Sequence, residues 1–168
     1  WRFWVHTPPK GAIAIFDRSW YQRVLTERVD GTVKKRLWKA AFGEIVDFER
    51  ALTNGGTHLV KFWLHISKRE QRRRFKRFEA DPVERWRVRK EDWRHHRDYA
   101  KHLAVAEEMI VRTDAPHARW ELVPAESLRF AKVRILETLA AQMEEALEAA
   151  AALSADRPDQ SNPKPPRQ

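Results

Sequence analysis

The sequence predicts an α/β fold in which helices cover both faces of a parallel sheet. Short apolar runs alternate along the chain with longer segments of helical periodicity, and strands separated by helices usually pair in parallel. The first run, residues 12–16, is apolar at every position, which is typical of a strand buried on both faces. Hydrophobic residues make up 42% of the 168 residues, so there is enough apolar material for the core of one domain.

Two helices are predicted after this first strand. A helical pattern runs from Ser19 to about residue 29 and stops at Asp30-Gly31, because glycine favours the turn that ends a helix. The second helix covers about 33–52, and Asn54-Gly55-Gly56 marks its C-terminus. Its apolar stripe, at spacings of three or four, consists of Leu37, Ala41, Ile45, Phe48 and Leu52.

The second strand is predicted over 58–66, a segment rich in apolar residues that ends just before a helix start. Ser67 is a suitable N-cap, and Glu70 three residues later completes a capping box. The helix that begins there covers 68–79 and ends at Asp81-Pro82, since proline cannot continue a helix. A further helix is expected over about 90–112.

The remaining elements are an alternating edge strand at 119–123 and a helix at about 127–153. After that helix the composition changes to Pro, Asp, Gln and Asn, so we expect a domain over 1–153 and a disordered tail over 154–168. Three strands are too few for a stable doubly wound sheet. Further strands are therefore expected before Trp1, which fits a first residue other than Met.

The charge balance favours polyanionic partners. Lys and Arg exceed Asp and Glu by 33 − 24 = +9, and such an excess attracts nucleic acid, phosphate-rich ligands or anionic lipid. The eight tryptophans offer surfaces for base stacking, although packing in the core is the simpler interpretation of most of them. The absence of cysteine excludes a disulfide scaffold and suits a reducing cytoplasm. No apolar run reaches the length of about 18 residues that a membrane span needs.

Asp17 and Arg18 follow the first apolar run directly and form the sharpest candidate site. A carboxylate at the end of a buried strand is the Walker-B arrangement, which holds Mg²⁺ directly or through water. The planar guanidinium of Arg18 suits a phosphate oxygen. Asp17 is equally suited to cap the helix predicted after it, and the two roles are compatible. The sequence contains no G-x-x-x-x-G-K-[ST] loop, so either the sequence lacks part of the domain or the Walker-B interpretation is wrong.

Residues 68–77 contain seven cations in ten positions. On a helix these charges repel one another unless anions lie between them. A mobile lid that closes on phosphates, a surface helix paired with acidic residues, and a nucleic-acid-binding segment all agree with this pattern. The seven histidines, in contrast, show no spacing typical of metal ligands, so a zinc site is not expected.

Several motifs together resemble the type-2 polyphosphate kinase family. They occur in the family's order, cover about residues 1–140, and favour the polyphosphate:AMP phosphotransferase branch. The main matches are Pro9-Lys10-Gly11, IFDRSWY at 15–21, VLTERV at 24–29, LVKFWLHISK at 59–68 and TDAPHA at 113–118.

The resemblance implies a P-loop kinase-like fold, similar to thymidylate kinase, with a helical lid at about 68–90 and with the N-terminal strand and P-loop missing from this sequence. The implied reaction is Mg²⁺-dependent phosphoryl transfer between inorganic polyphosphate and a nucleoside mono- or diphosphate, with AMP favoured over ADP. Asp17 would be the metal ligand and, with Arg18, catalytic. The residues implied to bind polyphosphate or nucleotide are Arg23, Glu27, Arg28, Arg73, Arg74, Lys76 and Arg77.

Three departures from the family pattern stand out. Phe78 occupies a position that is usually arginine, Arg119 one that is usually proline, and Glu126-Ser127-Leu128 replaces a run of Asn or Asp, then Asp, then Lys. The alternative is a non-catalytic domain of a tandem polyphosphate kinase that binds polyphosphate or has a structural role. In either case we expect a cytoplasmic homo-oligomer with no nucleic-acid or membrane partner, and we expect these 168 residues alone to be inactive.

Overall fold

The structure is a computed structural model that describes residues 3–155, with side chains through Ala151. Six α-helices and two strands lie in the described range. The helices are α1 (Thr26–Val29), α2 (Lys35–Asn54), α3 (Lys68–Ala80), α4 (Lys90–Arg97), α5 (Tyr99–Thr113) and α6 (Leu128–Ala155), and the strands are β1 (Lys61–His65) and β2 (Trp120–Pro124). Short 3-10 helices lie at Trp4–His6, Trp20–Arg23 and Arg85–Arg87.

The two strands pair in parallel, which confirms the parallel sheet predicted from the sequence. Lys61 is opposite Trp120 and His65 is opposite Pro124. Helices α3, α4 and α5 form the connection between them, as a parallel pair requires. The amide of Ala125 donates to the His65 carbonyl at 2.7 Å, so the contact between the strands continues just past the end of β2.

Two apolar clusters hold these elements together. The larger one lies between residues 20–29, α2 and α5, and the smaller one lies between the sheet and α6. The larger cluster contains Tyr21, Val24, Ala41, Phe42, Ile45 and Met109, and the smaller one contains Val123, Ala125 and Ala131.

The prediction of a buried strand at 12–16 is wrong for this structure. Among residues 3–155 the segment pairs with neither β1 nor β2, and Ile13 and Ile15 are 77% and 95% exposed. An apolar run becomes a strand only when neighbouring backbone accepts and donates its hydrogen bonds. Phe16 is the exception in the run, because its half-buried ring packs against Phe3 and Trp20.

Two predicted helices are interrupted. The helix expected from Ser19 to residue 29 is instead a 3-10 turn followed by the single turn α1, with Leu25 in a non-helical conformation between them. The helix expected at 90–112 is broken at Asp98, which ends α4 and begins α5. This break lets α4 fold back on α3, where Trp93 packs against Phe75 at 5.2 Å. In both places tertiary contacts override local helical preference.

Other predicted boundaries hold closely. The Ser67 hydroxyl accepts a hydrogen bond from the Glu70 amide at 3.2 Å, as expected for the start of α3. α6 continues through Ala155, and most of the tail predicted at 154–168, namely 156–168, lies outside the described residues. No helix among residues 3–155 is long and apolar enough to cross a membrane.

Candidate active site

The Asp17–Arg18 pair lies in an exposed, strained turn. Arg18 and Ser19 have φ values of 59° and 34°, a region that residues with a Cβ adopt at a cost of about 1–3 kcal/mol. The rings on either side of the turn, Phe16 and Trp20, contact each other at 5.7 Å. Among residues 3–155 no side chain makes a hydrogen bond or an ion pair with Asp17 or Arg18. Both charged groups are therefore available to a ligand.

The carboxylate of Asp17 is an oxygen ligand of the kind that Mg²⁺ prefers. In the described part of the chain no group of three His, Cys, Asp or Glu residues forms a metal cage. Mg²⁺ in kinases is commonly held by one or two carboxylates, with substrate phosphates and water completing the octahedron. A single exposed carboxylate beside an arginine has the donor chemistry that such an ion needs.

A fully buried carboxylate lies behind this turn. Glu49 of α2 is 0% exposed. Its Oε1 accepts hydrogen bonds from the Trp20 indole at 3.0 Å and from the Tyr21 hydroxyl. Lys61 of β1 forms an ion pair with Oε2 at 2.9 Å. The two residues that follow the strained turn are thus fixed to α2 and β1.

Lys61 extends the same network to α5. Its ammonium donates to the Thr113 carbonyl at 2.8 Å and to the Tyr21 hydroxyl at 3.1 Å. The Thr113 hydroxyl in turn accepts from the Trp120 indole at 2.9 Å. We use the name Glu49 cluster for Glu49, Lys61 and the three residues that form a hydrogen bond with one of them, namely Trp20, Tyr21 and Thr113.

Burial shapes the protonation of this cluster. It raises the pKa of Tyr21 well above its ordinary value, and the neighbouring Glu49 charge and hydrogen bond add to that rise. Burial also lowers the pKa of Lys61, while Glu49 acts in the opposite direction. Tyr21 therefore stays a neutral hydroxyl that can donate to Glu49 at any physiological pH.

The sequence interpretation missed the Glu49 cluster, although one signal was present. Ala41, Ile45 and Leu52 form the buried stripe of α2, and Glu49 stands four residues after Ile45 on the same face. A carboxylate within a buried stripe requires a buried cationic partner. The sequence does not show that Lys61, the first residue of a strand, is that partner.

Arg23 and Glu27 line a cavity of about 420 Å³ beside the turn. Its walls include the aromatic rings of Trp4, Trp20 and Phe48, and Arg23 forms a long, exposed ion pair with Glu44 at 3.8 Å. Flat aromatic walls with a few charged groups are typical of sites for planar, polar ligands. The structure thus brings two of the predicted binding residues together.

Arg28, which the resemblance placed with them, lies in a different environment. Its guanidinium stacks on Trp38 at 3.9 Å and forms an ion pair with Glu108 at 2.7 Å. The hydrogen bond from Arg28 lowers the pKa of Glu108. Arg28 and Lys101 line a second cavity of about 370 Å³ between α1, α2 and α5. Through its contacts with Trp38 and Glu108, Arg28 joins α1 to α2 and α5.

Arg73 and Arg74, at the centre of α3, are both bound to Glu70. Arg73 donates two hydrogen bonds to this carboxylate, at 2.6 and 2.8 Å, and Arg74 donates one at 2.7 Å. These bonds lower the pKa of Glu70 to about 2. Arg74 also reaches the Ala125 carbonyl at 2.5 Å, so α3 is attached to the loop that follows β2. Glu70 is one of the counter-anions that the cationic sequence required.

Lys76 and Arg77 are exposed on the same helix. The Arg77 guanidinium lies over the Phe78 ring at 4.9 Å, and Arg87 lies over that ring at 5.6 Å. The ring of Phe78, one of the three departures from the family pattern, therefore contacts two guanidinium groups. No described contact joins these lid cations to Asp17 or Arg18.

Comparisons with known proteins identify relatives of the whole described fold. The polyphosphate:AMP phosphotransferase of Pseudomonas aeruginosa is 44% identical over 139 residues, which cover 83% of this chain and 28% of that protein. The AMP/ADP-polyphosphate phosphotransferase of Meiothermus ruber is 38% identical over 125 residues, 74% of this chain and 47% of that protein. The crystal structure of polyphosphate kinase 2 from Arthrobacter aurescens superposes with a TM-score of 0.80 at 29% identity, over 98% of this chain and 56% of that one.

These matches span less than two thirds of each relative. The chain corresponds to 28% of the Pseudomonas aeruginosa protein and 47% of the Meiothermus ruber protein. A family model described as polyphosphate kinase 2 (PPK2) matches residues 1–151, nearly the entire sequence. The resemblance found in the motifs is confirmed by this match and by the shared fold. The chain belongs to the polyphosphate kinase 2 family.

Proposed function

We propose that the protein transfers a phosphoryl group between inorganic polyphosphate and a nucleoside mono- or diphosphate, with AMP as the favoured acceptor. The observation that carries the proposal is the strained turn that presents an unpaired Asp17 and Arg18 to solvent. Family membership supports the reaction class, and relatives that share up to 44% identity are named for transfer to AMP.

Asp17 would hold Mg²⁺, which supplies charge neutralisation at the bridging and terminal phosphate oxygens when it is bound. Arg18 binds an equatorial oxygen of the transferred group with its planar guanidinium. In the reaction the bond from phosphorus to the polyphosphate bridging oxygen breaks, and a bond to the acceptor phosphate oxygen forms. This in-line displacement needs no covalent protein intermediate.

The cavity beside the turn is the proposed nucleoside site. Trp4, Trp20 and Phe48 provide faces on which a base can stack. Arg23 and Glu27 supply charged groups at the same cavity, for the phosphate and for the hydroxyl groups of the sugar. The position of Ser19 in the cavity wall links this site directly to the Asp17–Arg18 turn.

The cationic helix α3 is the proposed lid over polyphosphate. Arg73 and Arg74 are held by Glu70, and Arg73, Lys76 and Arg77 are exposed. A row of cations along one element both attracts a polyanion and neutralises its charge during transfer. Arg28 is the remaining predicted binding residue; it lines the second cavity, and its ion pair with Glu108 holds it there.

The second candidate is a polyphosphate-binding domain without catalysis. One observation favours it: Lys76 and Arg77 are exposed cations, and no described contact joins them to Asp17 or Arg18. Under this candidate the cations bind polyphosphate and Asp17 has no chemical role. A homo-oligomer and a cytoplasmic location remain predictions.

A transfer assay on the protein at its natural full length separates the two candidates. Polyphosphate and Mg²⁺ are supplied with AMP or with ADP, and the nucleotide product is quantified. Asp17→Asn should reduce turnover by more than about tenfold while the melting temperature stays unchanged. Asp47→Asn, which alters another exposed carboxylate, on α2, is the matched control and should keep full activity. If the unaltered protein bound polyphosphate without turnover, the result would contradict phosphoryl transfer and support the second candidate.

A further inference from the structure

The Asp17–Arg18 turn is fixed at both of its ends. On the N-terminal side, the Phe16 ring packs against Phe3 at 6.2 Å and against Trp20 at 5.7 Å. On the C-terminal side, Trp20 and Tyr21 bond to the buried carboxylate of Glu49. A non-glycine residue keeps a positive φ only where its surroundings impose it. These contacts are the ones that can impose φ values of 59° and 34° on Arg18 and Ser19.

The Glu49 cluster joins the turn to three separate elements. Glu49 belongs to α2, Lys61 is the first residue of β1, and Thr113 is the last residue of α5. The Tyr21 ring also packs against Trp120 of β2 at 4.8 Å. A displacement of Tyr21 would break bonds to several of these elements together. The position of the turn is thus set by the core of the domain.

The cluster is suited to hold a polyanion-binding turn because its own charges cancel. The Glu49 carboxylate and the Lys61 ammonium lie 2.9 Å apart and are 0% and 6% exposed. The buried ion pair therefore adds no net charge to the core behind Asp17 and Arg18. The neutral hydroxyl of Tyr21 donates to Glu49 and accepts from Lys61. These two hydrogen bonds fix the position of the Tyr21 side chain.

We propose that Tyr21, Glu49 and Lys61 are positioning residues, which hold the Asp17–Arg18 turn in its strained conformation for phosphoryl transfer. This inference rests on the proposed function. Fixing the two reactive groups before substrate binds removes an entropic cost from the transition state. Loss of the cluster should therefore lower kcat more than it raises KM for polyphosphate.

The sequence offers a matched pair of variants, since it contains two tyrosines. Tyr21→Phe removes one buried hydroxyl from the Glu49 cluster. Tyr99→Phe removes one half-buried hydroxyl, which donates to the Ile66 carbonyl at 2.8 Å, away from the turn. In the protein at its natural full length, Tyr21→Phe should lower kcat about tenfold and change KM for polyphosphate less than about twofold. Tyr99→Phe should leave kcat within about twofold of the unaltered protein.

Trypsin supplies a second readout that does not depend on activity. The bond after Arg18 is cleaved only when the turn opens, because proteases bind extended backbone. Mass spectrometry of timed digests should show faster cleavage after Arg18 in Tyr21→Phe than in Tyr99→Phe, at a temperature where both remain folded. An unchanged cleavage rate at this bond in Tyr21→Phe would overturn the positioning role, whatever the activity.

These experiments distinguish failure of the proposed function from failure of the positioning role. An unaltered protein without turnover contradicts the proposed function, while the cleavage rates still decide whether the cluster holds the turn. An active protein whose Tyr21→Phe variant keeps full kcat contradicts the positioning role alone. Equal losses of kcat in both tyrosine variants would show a general effect of packing, and would also overturn it.

Discussion

The buried ion pair of the Glu49 cluster allows a quantitative prediction of stability. Lys61→Met removes the cation and leaves the fully buried Glu49 carboxylate with its two neutral donors, Trp20 and Tyr21. Breaking a buried ion pair from one side costs about 3–5 kcal/mol. At about 2–4 °C per kcal/mol for a domain of this size, the melting temperature should fall by about 6–20 °C.

A second variant tests whether the buried charge is the cause. In Lys61→Met/Glu49→Gln the acceptor becomes a neutral amide that can still bond to Trp20 and Tyr21. The remaining cost should be about 1–3 kcal/mol, since the Thr113 carbonyl loses its partner. Arg50→Met breaks an exposed ion pair on the same helix and should cost less than about 1 kcal/mol.

Urea unfolding followed by tryptophan fluorescence measures all three variants, because Trp20 lies within the cluster. The double variant must be more stable than Lys61→Met alone, although it carries one more substitution. If it were equally stable or less stable, an uncompensated buried charge would not explain the loss. The reasoning from desolvation would then be refuted, and simple loss of side-chain packing would replace it.

Two further predictions concern the lid. The pKa of Glu70 falls from its ordinary 4.5 to about 2 in the folded protein, so its contribution to stability is full above pH 4.5 and is lost as the pH falls toward 2. The difference in unfolding midpoint between the unaltered protein and Glu70→Gln should shrink over that window, and a constant difference would contradict the assignment. Arg73→Ala/Arg74→Ala should weaken polyphosphate binding, flatten its salt dependence and lower kcat, whereas Arg69→Ala/Arg72→Ala, with the same loss of charge, should do much less. Equal losses in a salt-titrated binding assay would indicate a diffuse electrostatic attraction and not a positioned lid.

Much of the secondary structure could be predicted because its signals are local. The N-cap at Ser67 and the glycines after Asn54 predicted helix ends to within a few residues. The second half of the expected capping box is not formed, because the Glu70 carboxylate binds Arg73 and Arg74 and the Ser67 amide donates to Glu126 instead. The conformation of segment 12–16 could not be predicted in this way. Its apolar residues suit a strand, but they do not show whether a partner strand lies beside it. The break at Asp98 likewise depends on the packing of α4 against α3.

The residues of the candidate site differ in the same way in how far the sequence could predict them. The motif around Asp17 and Arg18 could be identified from sequence, because its residues are contiguous. The Glu49 cluster could not, since Tyr21, Glu49 and Lys61 are brought together only by the fold. Arg28 shows the converse case. It belongs to a matching motif, yet its nearest partners are Trp38 and Glu108, which no local pattern indicates.

The exposed segment 12–16 has a practical consequence for handling this chain. It is an uncharged run in which Ile13, Ile15 and Phe16 favour strand structure, and Ile13 and Ile15 are largely in contact with water. Such a run is a template for intermolecular strand pairing, which leads to aggregation as the protein is concentrated. A charged residue in place of Ile15, which is 95% exposed, would oppose this strand pairing. It would disturb neither apolar cluster. The chain in this form should therefore be more soluble as Ile15→Lys.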